Sequence, residues 1–213
     1  MEQTYLQTEF FRLWNESDTH VNGYERRTSY DALAKRYREP QRAYHTLMHI
    51  EHCLREFDEV RHLAIDSLAI EFTLWFHDAI YEPATGHDDE LLSAELARSS
   101  LKAMGLGIVF ADKVHNYVLA TKHKPGRYFS DVELLLDIDL AILGQPQERF
   151  DRYEDEIRFE YSFVPADKFR TGRLAVLQGF LDRKHIYYTQ HFRDKYEKTA
   201  RENLDRSIRR LSS

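Results

Sequence analysis

The 213 residues of this chain are 42% hydrophobic and 31% charged, a balance that supports a sizeable buried core and excludes a largely disordered chain. Eight glycines and five prolines are few for this length, which argues against a turn-rich β-sandwich or barrel, and a single cysteine excludes a disulfide framework within the chain and a cysteine-based zinc ribbon. The net charge of −6 provides no general basic field for duplex nucleic acid.

Helical periodicity and residues typical of helix ends predict an all-α fold. The predicted helices span residues 3–15, 29–38, 46–61, 66–81, 88–104, 109–122, 131–143, 147–162, 166–184 and 189–211. Ser130 with Glu133 fits a capping box, and Gly105 and Gly144 stand where predicted helices end. No linker or internal repeat divides the chain, so we expect residues 1–213 to form a single helical bundle.

The sequence also predicts where the protein works. No stretch approaches 18 uninterrupted apolar residues, and the first segment, MEQTYLQTEFFRLW, lacks the basic start and apolar run of a signal peptide. We therefore expect a soluble cytoplasmic protein without a membrane partner. Oligomeric state stays open, since Cys53 sets no constraint and no heptad pattern is sustained.

Three histidines form a regular pattern in the segment RAYHTLMHIEHCL. His45, His49 and His52 are separated by four and three residues, so on a helix all three line one face. Neutral imidazoles at this spacing can bind or flank a divalent ion, or they can form an ordinary solvated face. The spacing alone leaves both interpretations open.

Carboxylates interrupt two strongly apolar segments. DSLAIEFTLWFHDAIY has the composition of a helix at the centre of a bundle, yet His77 and Asp78 lie near its end. Burying an ionised carboxylate is costly unless a cation, a hydrogen-bond network or a cleft accompanies it. In DVELLLDIDLAILG, Asp137 and Asp139 point roughly 200° apart on a helix, so only one can face a shared centre, and periodicity does not choose between them.

These segments resemble the HD-domain superfamily of metal-dependent phosphohydrolases, in which a histidine, an adjacent His-Asp pair and a distant aspartate lie on helices. The segments YHTLMHIEHCL, FHDAIYEP and LLDIDLAILG are similar to those of a bacterial branch of predicted HD phosphohydrolases, and the stretch from IRFEYSFVP to ENL extends the likeness over most of the chain. The resemblance implies a single HD-type domain. It implies a metal site formed by His49, His77, Asp78 and Asp139.

The resemblance also implies a catalytic arrangement. Cyclic-nucleotide phosphodiesterases of the wider superfamily carry a Tyr-His pair before the metal-binding histidine, matched here by Tyr44, His45 and His49. By that likeness His45 protonates the leaving oxygen, while Asp78 or Asp139 orients a metal-activated water. We expect His52 to lie on the helix surface or beside the site.

Two imidazoles and two carboxylates suit Mn, Fe, Co, Ni, Zn or Mg as the divalent ion. The predicted reaction is hydrolysis of a phosphate ester, of a nucleotide or of another small phosphorylated metabolite. Residues 145–213 carry 15 basic and 12 acidic residues, and guanidinium groups bind phosphate well. The candidate phosphate contacts are Arg42, His123, Arg158, Arg170, Arg173, Arg183 and Lys184, of which we favour Arg42, His123, Arg158 and Arg173.

Two alternatives remain at this point. A dinuclear iron oxygenase on the same scaffold would need His115 and His123 as further ligands. Because they lie eight residues apart, they share a face only if the helix continues past Lys122, which the following KHKPG disfavours, so we expect one ion and a packing role for His115. The other alternative is a metal-stabilised binding or regulatory module without turnover.

Overall fold

The protein, described by a computed structural model over residues 4–17, 19–124 and 126–212, has helices and no strands in those ranges. Its α-helices are α1 (Tyr5–Glu16), α2 (Gly23–Arg36), α3 (Leu47–Val60), α4 (Ser67–Phe76), α5 (Asp89–Ala103), α6 (Ile108–Ala120), α7 (Ser130–Asp139), α8 (Gln147–Glu160), α9 (Ala166–Leu181), α10 (Gln190–Phe192) and α11 (Lys198–Ser212). Short 3-10 segments follow α3 (Arg61–Leu63) and α7 (Leu140–Gly144), and a π-helical turn (Arg193–Glu197) joins α10 to α11. The all-α prediction is confirmed.

Helix α2 begins earlier than the predicted span of 29–38. Asn22 caps it by accepting hydrogen bonds from the amides of Tyr24 and Glu25, and the Glu25 carboxylate accepts the Asn22 amide in return, 2.9 Å away. This reciprocal capping box satisfies backbone donors that would otherwise lack partners and so stabilises the first turn. The sequence contains this capping box, but the helix predicted from apolar periodicity begins only at residue 29.

The start and end of the α7 region differ from prediction in opposite ways. Ser130 is the first helical residue rather than the cap, and the Glu133 amide donates to the Phe129 carbonyl at 2.9 Å, so the predicted capping box is wrong. The predicted stop at Gly144 is confirmed, because the 3-10 segment ends there. A Cβ at Gly144 would overlap the side chain of Tyr196, so this close approach requires glycine.

Two helix ends determine where the candidate site residues His45, His77 and Asp78 lie. Thr46 caps α3, and its hydroxyl accepts the Met48 amide at 3.3 Å. His45 therefore lies in the loop before α3, and the predicted face of three helical histidines is wrong for that residue. Helix α4 ends at Phe76, so His77 and Asp78 lie in the turn that follows rather than inside a helix extending to residue 81.

Helix α4 runs through the centre of the bundle, as its all-apolar composition predicts. Residues 69–76 are all buried, and α4 packs against α1, α3, α5, α6 and α7. Trp75 meets Phe10 of α1 edge-to-face with ring centroids 5.0 Å apart, while Glu71 is paired with Arg12 and Arg61. Enclosure on all sides holds the C-terminal end of α4 in place, and with it the residues that follow.

Within the described ranges, every helix is too short or too polar to cross a bilayer.

Candidate metal centre and adjoining cavity

Four side chains from three helices converge on one point. His49 lies in the first turn of α3 and Asp139 is the last residue of α7, while His77 and Asp78 follow α4. The two histidine Nε2 atoms are 3.0 Å apart. An oxygen of Asp139 lies 3.3 Å from Nε2 of His49 and 3.5 Å from Nε2 of His77, and an oxygen of Asp78 lies 3.5 and 3.0 Å from the same atoms.

This donor set fits a divalent ion. Nδ1 of His77 lies 3.0 Å from the Leu74 carbonyl, which can only accept, so Nδ1 carries a hydrogen and Nε2 is the nitrogen left to bind a metal. That Nε2 faces Nε2 of His49 and the two carboxylates. His49, His77 and Asp139 each offer an atom within 4.8 Å of the others, the mixed nitrogen and oxygen set that divalent metals take.

The histidines and carboxylates of the cluster shift one another's pKa values. Burial holds the pKa of His49 below its usual value, which favours the neutral imidazole that binds metals. Burial acts the same way on His77, but the carboxylates of Asp78 and Asp139 outweigh it and hold the His77 pKa well above its usual value. Burial would raise the pKa of both aspartates, yet His77 and its neighbours hold each well below its usual range. Both carboxylates are therefore ionised and suited to bind a cation.

Asp137 lies elsewhere. Its carboxylate accepts hydrogen bonds from the amides of Tyr188 and Thr189 and from the Thr189 hydroxyl, each at 2.7 Å. Burial raises the pKa of Asp137 to about 6 despite those bonds. Of the two aspartates that periodicity left open, Asp139 is the one brought to the cluster, and Asp137 ties the loop before α10 to α7.

His45 is held by a carboxylate from a different helix. Its Nδ1 lies 2.7 Å from Glu160 of α8, whose carboxylate also accepts the amides of Ala43, Tyr44 and His45 at 2.7 to 3.0 Å and the Tyr81 hydroxyl at 3.0 Å. Burial opposes ionisation, but His45 and the amides lower the pKa of Glu160 to about 2. Burial lowers the pKa of His45, but the carboxylates of Asp78 and Glu160 support the imidazolium form and raise that pKa overall.

A cavity of about 460 Å³ opens over the cluster. Its lining includes His45, the candidate ligands His77, Asp78 and Asp139, and the guanidinium-bearing Arg173. Tyrosines and apolar side chains form part of the wall, namely Tyr44, Tyr81, Tyr153, Tyr161, Ile142, Ile157, Val176 and Phe180, and further polar residues line it as well, namely His87, Asp89, Glu90, Thr121 and His123. The volume suits a small molecule.

Two of the arginines predicted to contact phosphate have other partners. Arg42 is buried, and its guanidinium donates to the backbone carbonyls of His45, Asp78 and Ala79 at 3.1, 2.7 and 3.2 Å. Arg158 donates to two carbonyls of the turn between α8 and α9. Neither lines the cavity, so the structure gives both a role in bracing loops in place of the predicted substrate contact.

The other two predicted contacts do reach the cavity. Arg173 of α9 lines it while paired with Glu154, with its guanidinium carbon 5.1 Å from the Tyr153 ring centroid. His123 places Nε2 2.8 Å from the second oxygen of Asp139. Its φ of 51° is unusual for a residue with a side chain, and such backbone strain recurs at functional sites.

His115 and His52 take no part in the cluster. Nε2 of His115 lies 3.2 Å from Glu95 of α5, away from the cavity lining, so only one of the two extra ligands that a dinuclear site would need is near the centre. His52 is partly exposed on α3, with Nε2 3.5 Å from Glu56. Both therefore lie where the sequence placed them, outside the predicted ligand set.

Glu160 is the site residue that sequence reasoning missed. Helix α8 carries five other acidic residues, and nothing in its local pattern distinguishes Glu160 from them. Its role depends on contacts with residues more than 70 positions away, which only the folded chain reveals.

Comparison with known proteins gives no further assignment: no family model, curated protein or solved structure matches this chain.

Proposed function

We propose that this protein is a metal-dependent hydrolase of small phosphate esters. The observation that carries the proposal is the convergence of His49, His77, Asp78 and Asp139 beneath a cavity that His45 also lines. The likeness of the same residues to the HD pattern supports it independently. A divalent ion bound there would acidify a water molecule and polarise a phosphoryl oxygen.

The chain's own residues supply the remaining functions. His49 and His77 would each bind the ion through Nε2, where at His77 the ion would replace a proton, and Asp78 and Asp139 would add the negative charge that attracts the ion. His45, held by Glu160, has a raised pKa, which favours the protonated form that can donate to a leaving oxygen. Arg173 and the tyrosine-lined wall provide a cationic and apolar surface on which an organic phosphate can lie.

The proposal is tested with a panel of phosphate monoesters, phosphodiesters and nucleotides, each with Mn, Fe, Co, Ni, Zn or Mg added. We expect metal-stimulated release of phosphate or alcohol from at least one class. His45→Ala should reduce kcat by about 100-fold or more while bound metal stays unchanged. His52→Ala is the matched control, a histidine on α3 outside the cluster, and should retain activity.

Two outcomes would overturn the proposal. Bound metal without hydrolysis of any ester would favour the binding or regulatory module. Two irons per chain with activity that depends on dioxygen would favour the oxygenase.

A further inference from the structure

A second cavity of about 650 Å³ adjoins the main one. The two share three lining residues, His123, Val176 and Phe180. Val176 and Phe180 belong to α9, and His123 is the residue whose imidazole contacts Asp139. His123 therefore lines both cavities and contacts the candidate metal centre through Asp139.

The lining of this second cavity is basic although the protein as a whole is acidic. It contains Lys122, Arg183, Lys184 and Arg193 against the single carboxylate of Asp182. Lys122 is paired with Asp88 and Arg193 donates to backbone carbonyls, so Arg183 and Lys184 are the cations available to a ligand. The chain's net charge is −6, so a concentration of cations here is not a general property of the surface. A concave basic surface attracts anions.

Arg183 is the most constrained of these cations. One guanidinium nitrogen, Nη2, donates to the His123 carbonyl at 3.0 Å, and the guanidinium lies over the Phe180 ring, 4.5 Å from its centroid. The other, Nη1, is buried and has no hydrogen-bond partner among the described residues. A buried donor without an acceptor is costly, and Arg183 is at the same time one of the residues that line the second cavity.

Lys184 and His185 follow on the same loop and extend the basic surface to the rim. Both are exposed, and within the described ranges neither side chain has a hydrogen-bond or ion-pair partner. The loop beneath them is held rigidly, because Arg201 donates to the carbonyls of Leu181, Arg183 and Lys184. The cations are thus presented from a fixed backbone.

The C-terminal part of that loop is anchored as well. The Glu197 carboxylate in the π-helical turn accepts the Ile186 amide at 3.0 Å, and Arg193 in the same turn donates to the carbonyls of Tyr187 and Tyr188. π-Helical turns often accompany functional sites. A preorganised loop that presents Lys184, unpaired among the described residues, beside Arg183 is suited to binding an anion.

We propose that the second cavity binds a further anionic group of the substrate, so that the substrate is a phosphate ester carrying a second phosphate or carboxylate. This inference rests on the proposed function for the ester at the metal centre. The second anion would lie against Arg183 and Lys184 while the ester lies near His45 and Asp139, with His123 between the two positions.

The test measures binding without turnover. Phosphonates are not cleaved by phosphate-ester hydrolysis, so their binding can be measured without turnover. Calorimetry compares the affinity of an alkyl monophosphonate with the affinities of α,ω-alkylene bisphosphonates of three to eight carbons and of the matching carboxyalkyl phosphonates. We expect an affinity gain of about tenfold at a preferred chain length, because a charge-assisted hydrogen bond contributes that much. The bisphosphonate and carboxylate arms show which anion the cavity takes.

Substitutions test which residues produce this gain in affinity. Lys184→Glu and Arg183→Gln should each remove most of it, and Lys184→Glu lies on the surface where folding is unaffected. Lys168→Glu is the matched control, because Lys168 is an exposed lysine of α9 that lines a different cavity. It should keep the full gain.

The inference is overturned if no bisphosphonate or carboxyalkyl phosphonate binds more tightly than the monophosphonate, or if Lys168→Glu loses as much as Lys184→Glu. These results are separable from those for the ester hydrolase. A chain-length gain without hydrolysis of any ester would leave the anion site standing and refute the hydrolase, while hydrolysis without a gain would do the reverse.

Discussion

Replacing Glu160 with glutamine tests how the proposed proton donor is held. Glutamine keeps one acceptor oxygen for the backbone amides, but its NH2 group cannot accept from His45 or from the Tyr81 hydroxyl. The pKa of Glu160 falls from an ordinary 4.5 to about 2, which corresponds to about 3 kcal/mol of stabilisation of the folded protein at neutral pH. We expect a loss of up to that amount, or roughly 6–12 °C in Tm.

The depressed pKa of Glu160 also determines how the loss of stability changes with pH. Because the folded pKa of Glu160 is depressed, its contribution is fully present above about pH 4.5 and is lost as the pH falls towards 2. Urea unfolding of both proteins should therefore show a constant difference in unfolding free energy at neutral pH that shrinks in acid. Glu160 also helps to raise the pKa of His45, so glutamine should lower that pKa.

Kinetics and spectroscopy then distinguish positioning from simple destabilisation. If His45 acts as the acid, the alkaline limb of the kcat profile should move to lower pH, and kcat should fall roughly 10–100-fold. NMR titration of the His45 imidazole checks the same shift without turnover. Glu71→Gln is the control, since Glu71 is a buried carboxylate paired with Arg12 at 2.7 Å. An unchanged His45 titration in Glu160→Gln, or an equal shift in Glu71→Gln, would refute the reasoning.

Three further predictions concern the metal centre and the packing. Asp139→Asn should reduce bound metal at least tenfold in elemental analysis, whereas Asp137→Asn should retain the metal and lower Tm, and the reverse pattern would exchange their roles. Removal of the ion by a chelator should lower Tm by about 5–10 °C, and adding the ion back should restore it, because an ion at 100 times its Kd stabilises the folded protein by about 2.7 kcal/mol. An unchanged Tm would argue against a metal at this position. Gly144→Ala should destabilise the protein by about 1–3 kcal/mol through overlap with Tyr196, while Gly172→Ala in open space on α9 should be neutral or stabilising, as chemical denaturation will measure.

Much of the fold could be predicted because its elements have local causes. The all-apolar segment ending at Phe76 predicts a central helix, since no face of it can remain in water. Gly105 predicts a helix end, and it has a φ of 90° just beyond α5. The start of α2 at Asn22 was missed because a polar first turn lacks the apolar periodicity on which helix prediction depends.

The candidate site was predictable only where local chemistry is unusual. A carboxylate inside an apolar segment is a conspicuous cost, and that is why Asp78 and Asp139 were found. The resemblance to HD proteins favours Asp139 over Asp137, but periodicity could not decide between them, because the partners of the two carboxylates lie on elements distant in the chain. Glu160 gave no signal at all, since an acidic residue on an acidic helix is ordinary until the helix is packed.

The brace formed by Arg42 makes the backbone spacing of two candidate site residues independent of the ion that would bind at the site. Its guanidinium holds the carbonyl of His45 on one segment and those of Asp78 and Ala79 on another, so the spacing of the His45 and Asp78 backbones is set by the protein itself. An exchange of one divalent ion for another would leave that spacing in place. In an enzyme of the proposed kind, the identity of the ion would then alter how fast an ester is cleaved, and the rigid frame would decide which ester is accepted.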